Sequence, residues 1–207
     1  MFAFGTKAFI SILTIMGPFT VIPAFISMTE GLSQSQRNKT ARKAMFVSAS
    51  ILIVSTVIGE SLFDLLGISI PSFRIAGGIL VLIMGINMLH AKRSATRATQ
   101  AELNEAMERN DISVFPLGTP LIAGPGAIST VILLSTGDHR GLFPIIMIVL
   151  VVMISSLIIY YLLRYSHLIY KAMGHTGMNI MMRLMGLILS AMAVEFIIDG
   201  IRQSFNF

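Results

Sequence analysis

The sequence predicts an all-α integral membrane protein of six transmembrane helices, built as two inverted three-helix repeats, with helices one and four broken. Three observations carry that expectation. Of 207 residues, 55% are hydrophobic and only 12% charged, whereas a soluble domain carries about 25% charge. Uncharged runs extend from Ala8 to Thr29, from Ile112 to Gly137 and from Gly141 to Leu163, each long enough for a crossing that needs roughly 20 apolar residues. The third observation is a pattern that occurs twice. Gly17-Pro18 interrupts an apolar segment and is followed 57 residues later by Arg74-Ile75-Ala76-Gly77-Gly78-Ile79-Leu80. Gly124-Pro125 interrupts another and is followed 59 residues later by Arg183-Leu184-Met185-Gly186-Leu187-Ile188-Leu189. Matched Gly/Pro interruptions in two halves of a membrane chain point to a binding site made by discontinuous helices.

Span one is the run Ala8–Thr29. Proline lacks an N–H and glycine loosens the backbone, so Gly17-Pro18, with Pro23 beyond it and Thr14 and Thr20 nearby, should open the helix at membrane depth. Spans two (about Ala44–Leu66) and three (about Phe73–His90) carry charge only toward one end and complete a first repeat, residues 1–91. Residues 92–111 are polar, with four basic and four acidic side chains, and read as an exposed cytoplasmic linker. The second repeat, residues 112–207, opens with span four, where Pro120 and Gly124-Pro125-Gly126 stand among Thr119, Ser129 and Thr130. Span five is Gly141–Leu163 and span six about Arg183–Ile201. An odd number of spans per repeat turns the second copy upside down relative to the first.

The charge distribution sets the orientation. Of the 15 Lys and Arg, 11 fall in the first, third and fifth loops, and cytoplasmic loops carry the Lys/Arg excess. Both termini should therefore lie outside. The net charge of +5 is thus an orientation signal, and a nucleic-acid partner is not expected. The first apolar run lacks the flanks of a cleaved signal peptide. Cysteine is absent, so thiol chemistry is excluded. No phosphate loop, nucleophile motif or metal cluster is visible, so neither an enzyme nor a cofactor is expected.

Broken helices constrain the ligand. Backbone groups freed in lipid cost on the order of several kcal/mol each, so non-helical backbone survives only where protein or a water-lined cavity surrounds it. A half-helix N-terminus carries roughly half a positive charge and suits a carboxylate, while unwound carbonyls suit an ammonium group. A zwitterionic amino acid meets both demands. The candidate substrate-binding residues are Gly17, Pro18, Thr20, Pro23, Thr119, Gly124, Pro125, Gly126 and Ser129. The plainer alternative is that these residues merely kink two helices.

Ionisable groups inside a span default to functional hypotheses. Glu195 lies 12 residues beyond Arg183 and either exchanges a proton or pairs with Arg74, Arg140 or Arg202. Asp199, Glu60 and Asp64 join it as candidates for an outer vestibule. Arg74 and Arg183 either anchor helix ends at the headgroups or reach the broken helix of their half. Asn87 is a buried amide that should bond across helices. Glycines 77, 78, 85 and 186 should allow close helix packing.

With these residues in view, the chain resembles the MarC (NAAT) family of bacterial membrane proteins, within the LysE-like transporter group. The matching stretches are Ile22-Pro23-Ala24-Phe25-Ile26-Ser27-Met28, Gly67 to Ile79, Ala123-Gly124-Pro125-Gly126-Ala127-Ile128 and Arg183-Leu184-Met185-Gly186. The resemblance implies a six-span protein of the bacterial inner membrane, surrounded by lipid, taking a small-molecule substrate and leaving room for a homo-oligomer. Some relatives look like transporters of small neutral amino acids of the glycine and alanine class. The family pattern places Asn before the first proline, where this chain has Gly17, so no ligand role for that side chain carries over. Two further readings stand beside a transporter: a non-transporting assembly or partner protein, and an exporter or channel for another small solute.

Overall fold

A computed structural model describes residues 2–90, 113–136 and 142–205. All regular structure in the described residues is helical. The order is α1 (Phe2–Met16), α2 (Pro18–Met28), α3 (Gln34–Leu66), α4 (Ile70–Leu89), a π-helical segment (Ser113–Ile122), α5 (Pro125–Ser135), α6 (Leu142–Arg164) and α7 (Ser166–Phe205). The linker 92–111, His139, Arg140 and the side chains of Glu60, Asp64 and Pro120 lie outside the described set.

Local chemistry explains the boundaries. At the start of α3, Ser33 and Gln36 cap each other: the Ser33 N–H donates to Gln36 Oε1 at 2.9 Å, and the Gln36 N–H donates to Ser33 Oγ at 3.4 Å, a reciprocal capping box. Gly67 ends α3 in the left-handed region, at φ 66°, which costs glycine nothing. Ser69 caps α4 by accepting from the Ser72 N–H, with Pro71 in the first turn. The 40 residues of α7 bend at Gly174, whose φ of 60° is not helical. The sequence reading placed span six at about Arg183–Ile201 and a loop before it; the loop is instead a helical arm on the near side of that bend.

Among the described residues, five stretches are long and apolar enough to cross a membrane: Phe4–Met28, Gln34–Gly59, Ile70–Leu89, Leu142–Arg164 and Ser166–Phe205. The fourth expected span is divided between the π-helical segment and α5, each too short to cross alone. The surface has the inside-out character of a multi-pass membrane protein. On α6, Leu150, Met153, Ile154 and Leu157 are exposed while Ser155 and Ser156 are buried; water would impose the opposite pattern, lipid does not.

Without a hydrophobic drive between helices in lipid, association rests on close packing. The most extensive helix pair is α4 with α7, and glycine makes it. A methyl added at Gly85 would collide with Ser190 Oγ and sit 3.0 Å from the Gly186 carbonyl; at Gly78 it would sit 3.0 Å from the Ala193 carbonyl; at Gly200, 2.8 Å from the Pro71 carbonyl. The facing positions advance by sevens along α4 and retreat by sevens along α7. The two helices therefore run antiparallel, nearly backbone to backbone.

Candidate functional site at two broken helices

The first break is a single residue wide. Gly17 takes φ 63° and ψ 57° between α1 and α2, a left-handed conformation that costs other L-residues roughly 1–2 kcal/mol and that Asn tolerates best after glycine. Asparagine is therefore the side-chain-bearing residue this position would tolerate best on backbone grounds. The Gly17 N–H turns back to the Thr14 carbonyl at 3.1 Å, and the Gly17 carbonyl starts α2 by accepting from Thr20 and Val21 at 3.0 Å. Pro18 follows at the first helical position, and no side chain caps the helix. Gly17, Pro18 and Thr20 are all buried. Pro18 has no N–H and the Thr20 and Val21 amides are met by the Gly17 carbonyl, so of the first turn the Phe19 amide is what this uncapped start leaves for water or ligand.

The second break is built differently and reaches the same result. In the π-helical segment the Ala123 N–H donates to the Gly118 carbonyl at 3.0 Å, a wide turn of the kind found at functional positions in membrane and soluble helices alike. The same carbonyl accepts from Ser48 Oγ of α3 at 2.9 Å. Gly124 is extended, at φ −82° and ψ 173°, and α5 then starts at Pro125, again with no side-chain cap. Gly124, Gly126 and Ser129 are buried, Thr119 is half-buried, and Pro125 is exposed between its buried neighbours.

The two breaks converge. A methyl on Gly126 would lie 3.2 Å from Ile15 Cδ1, two residues before Gly17, and would overlap Met84 Sδ of α4. One turn on, Ser129 Cβ lies 3.4 Å from the methyl position of Gly77, so the repeated Arg-x-x-Gly motif of the first half packs on the broken helix of the second. Two hydroxyls in these short helices have no hydrogen-bond partner: Thr20 Oγ1 and Thr130 Oγ1, on residues 9% and 1% exposed. Buried hydroxyls almost always find a partner in a finished core. Thr20 stands in the first turn of α2, and Thr130 lies in the second turn of α5.

Other expected residues lie apart from this centre. Arg74 is 6% exposed, in the first turns of α4 with its Cβ near Gly200 of α7, whereas Arg183 is exposed on α7; the two arginines are equivalent in sequence and unequal in place. Glu195 pairs with Lys7 Nζ at 2.8 Å, with the side chains 52% and 43% exposed, a partner the sequence reading did not name. Asn87 is half-buried and is not left without a partner. Asp199 is half-buried on α7.

A cavity of about 430 Å³ opens at the far end of α2, lined by Pro23, Ser27, Glu30, Arg37, His167 and Tyr170 among others. It connects a residue expected at the site, Pro23, to the basic-loop face. The arm of α7 before Gly174 brings His167 here. The sequence reading missed Ser48, since its role depends on a carbonyl 70 residues away.

The comparisons with known proteins point to an integral membrane protein. The family model described as "MarC family integral membrane protein" matches residues 2–205. A "UPF0056 membrane protein" of Buchnera aphidicola subsp. Baizongia pistaciae is 40% identical over 98% of this chain and 94% of its own length. The UPF0056 membrane proteins YvbG of Bacillus subtilis and YhcE of Escherichia coli are 39% and 38% identical, over 99% and 96% of this chain and 97% and 92% of theirs. No solved structure matches.

Proposed function

Because the chain belongs to the MarC family of integral membrane proteins, we propose that it is a secondary transporter of small neutral amino acids, with the solute held between the two broken helices. The observation that carries this reading is the approach of the two uncapped breaks, with Gly126 against Ile15, in short helices that also carry the unmet hydroxyls of Thr20 and Thr130. Each helix start offers N–H groups and roughly half a positive charge to a carboxylate; carbonyls at the ends of α1 and the π-helical segment face the ammonium group. Gly126 lets α5 close onto Met84 and Ile15, so the space left at the second break is small, which suits a glycine- or alanine-sized solute.

Six spans follow when the π-helical segment and α5 are taken together as one discontinuous crossing. The antiparallel run of α4 against α7, the third spans of the two halves, is what an inverted repeat requires. The basic-loop rule then puts both termini outside the cytoplasmic membrane and opens the Pro23 cavity to the cytoplasm. Rocking of one half against the other would alternate access to the centre. A partner-protein reading that docks another helix on the glycines of α4 is disfavoured, since Gly78 and Gly85 are covered by α7 of the same chain.

Proteoliposomes loaded with radiolabelled glycine or alanine test the proposal. Saturable flux that Thr20→Val and Thr130→Val weaken is expected. No saturable flux from folded protein removes the substrate claim, and flux that rises linearly without saturation favours a channel.

A further inference from the structure

We propose that the groove between α3 and α6 at the basic end of the bundle is a binding site for one anionic phospholipid, its phosphate on Arg42 and an acyl chain against Phe46, Ala49, Met153 and Leu157. The groove holds about 330 Å³ and is walled by those residues with Met45, Ser156 and Tyr160. The two helices cross it antiparallel, with Arg42 and Tyr160 at one end and Ala49 and Met153 at the other. From Arg42 to Ala49 the helix rises about 10 Å, so the groove runs from headgroup level into the hydrocarbon.

Three features select this occupant. Arg42 is exposed, and among the described residues no hydrogen bond or ion pair holds its guanidinium. Its surroundings on α3 are uniformly basic, with Arg37, Lys39 and Lys43 within two turns, and basic pockets between membrane helices on the cytoplasmic side suit anionic headgroups. The remaining wall is hydrocarbon, with Phe46 73% exposed, which suits an acyl chain and not a soluble phosphate. This site does not rest on the transport reading: its walls on α3 and α6 share no residue with either break, although Ser48 of the same helix turns its hydroxyl to the second.

Native mass spectrometry of the purified protein tests it, with phosphatidylglycerol and phosphatidylcholine of identical chains titrated into detergent. Wild type should retain one phosphatidylglycerol preferentially. Arg42→Gln should weaken that retention about fivefold, as expected for one interfacial charge, while Lys39→Gln, one turn earlier and outside the groove, should leave it unchanged. Leu157→Trp, which fills the groove from an exposed position, should reduce retention of both lipids; gel filtration and thermal unfolding confirm that each variant is folded. Equal retention of the two lipids by wild type overturns the proposal. Equal losses for Arg42→Gln and Lys39→Gln overturn it as well, since a diffuse field rather than a site would then hold the lipid.

Discussion

Replacing Gly186 by alanine pits two effects of opposite sign against each other. Alanine is the better helix former by about 1 kcal/mol, so the change should stabilise α7 wherever there is room. At Gly186 there is none: the new methyl would lie 2.8 Å from the Gly85 carbonyl oxygen, the Leu89 amide nitrogen and Met88 Cβ. Two of the three are backbone atoms and cannot rotate away, so α4 and α7 must separate along the whole seam. Overpacking of this kind costs about 1–3 kcal/mol, which outweighs the propensity gain. Gly5→Ala is the control, because its methyl meets only Met147 Cε at 3.1 Å, the free end of a flexible side chain. Equilibrium unfolding in dodecyl maltoside–SDS mixed micelles should therefore show Gly186→Ala less stable than Gly5→Ala by roughly 1–3 kcal/mol. Equal stabilities would refute the backbone-to-backbone seam.

Gly17→Ala should lose about 1–2 kcal/mol to left-handed strain, and Gly17→Asn clearly less, measured in the same micelles; the reverse order would mean that the break is not left-handed. Thr20→Val and Thr130→Val should leave stability unchanged or slightly raised, because they remove hydroxyls that bond to nothing in the protein. If the solute uses those hydroxyls, each loss should raise the transport KM about five- to tenfold, the worth of one hydrogen bond of about 1–1.5 kcal/mol. Lys7→Gln and Glu195→Gln should each shift stability by less than about 1 kcal/mol, since a half-exposed ion pair is worth little; a larger loss would place the pair in a drier setting. Because the chain has no cysteine, Ser27→Cys carries the only thiol, and a membrane-impermeant maleimide should label it in inverted but not right-side-out vesicles.

The breaks were legible in the sequence because proline and glycine act on their own backbone: Gly17-Pro18 and Gly124-Pro125 disrupt the helix whatever surrounds them. The glycine seam was half legible, since Gly78 and Gly85 announce a shallow face but not its partner. What stayed hidden depends on distant contacts. Nothing local distinguishes Arg74 from Arg183, yet one is buried and the other exposed, because only the neighbouring helices decide. The Lys7–Glu195 pair joins residues 188 apart, and the Ser48 hydroxyl serves a carbonyl on another helix. The cavity at Pro23 needed the arm of α7, which a charged, histidine-bearing stretch disguised as a loop.

The contacts of Gly77 with Ser129 and of Gly126 with Met84 have a consequence for ancestry. Each places a helix of the first half directly against the discontinuous helix of the second, so neither half owns a complete chamber wall. A gene encoding one half would leave a raw, open face where the other should stand. A one-half ancestor, had there been one, would have needed a second chain to cover those glycine faces, and deleting either half of this chain should unseat the other.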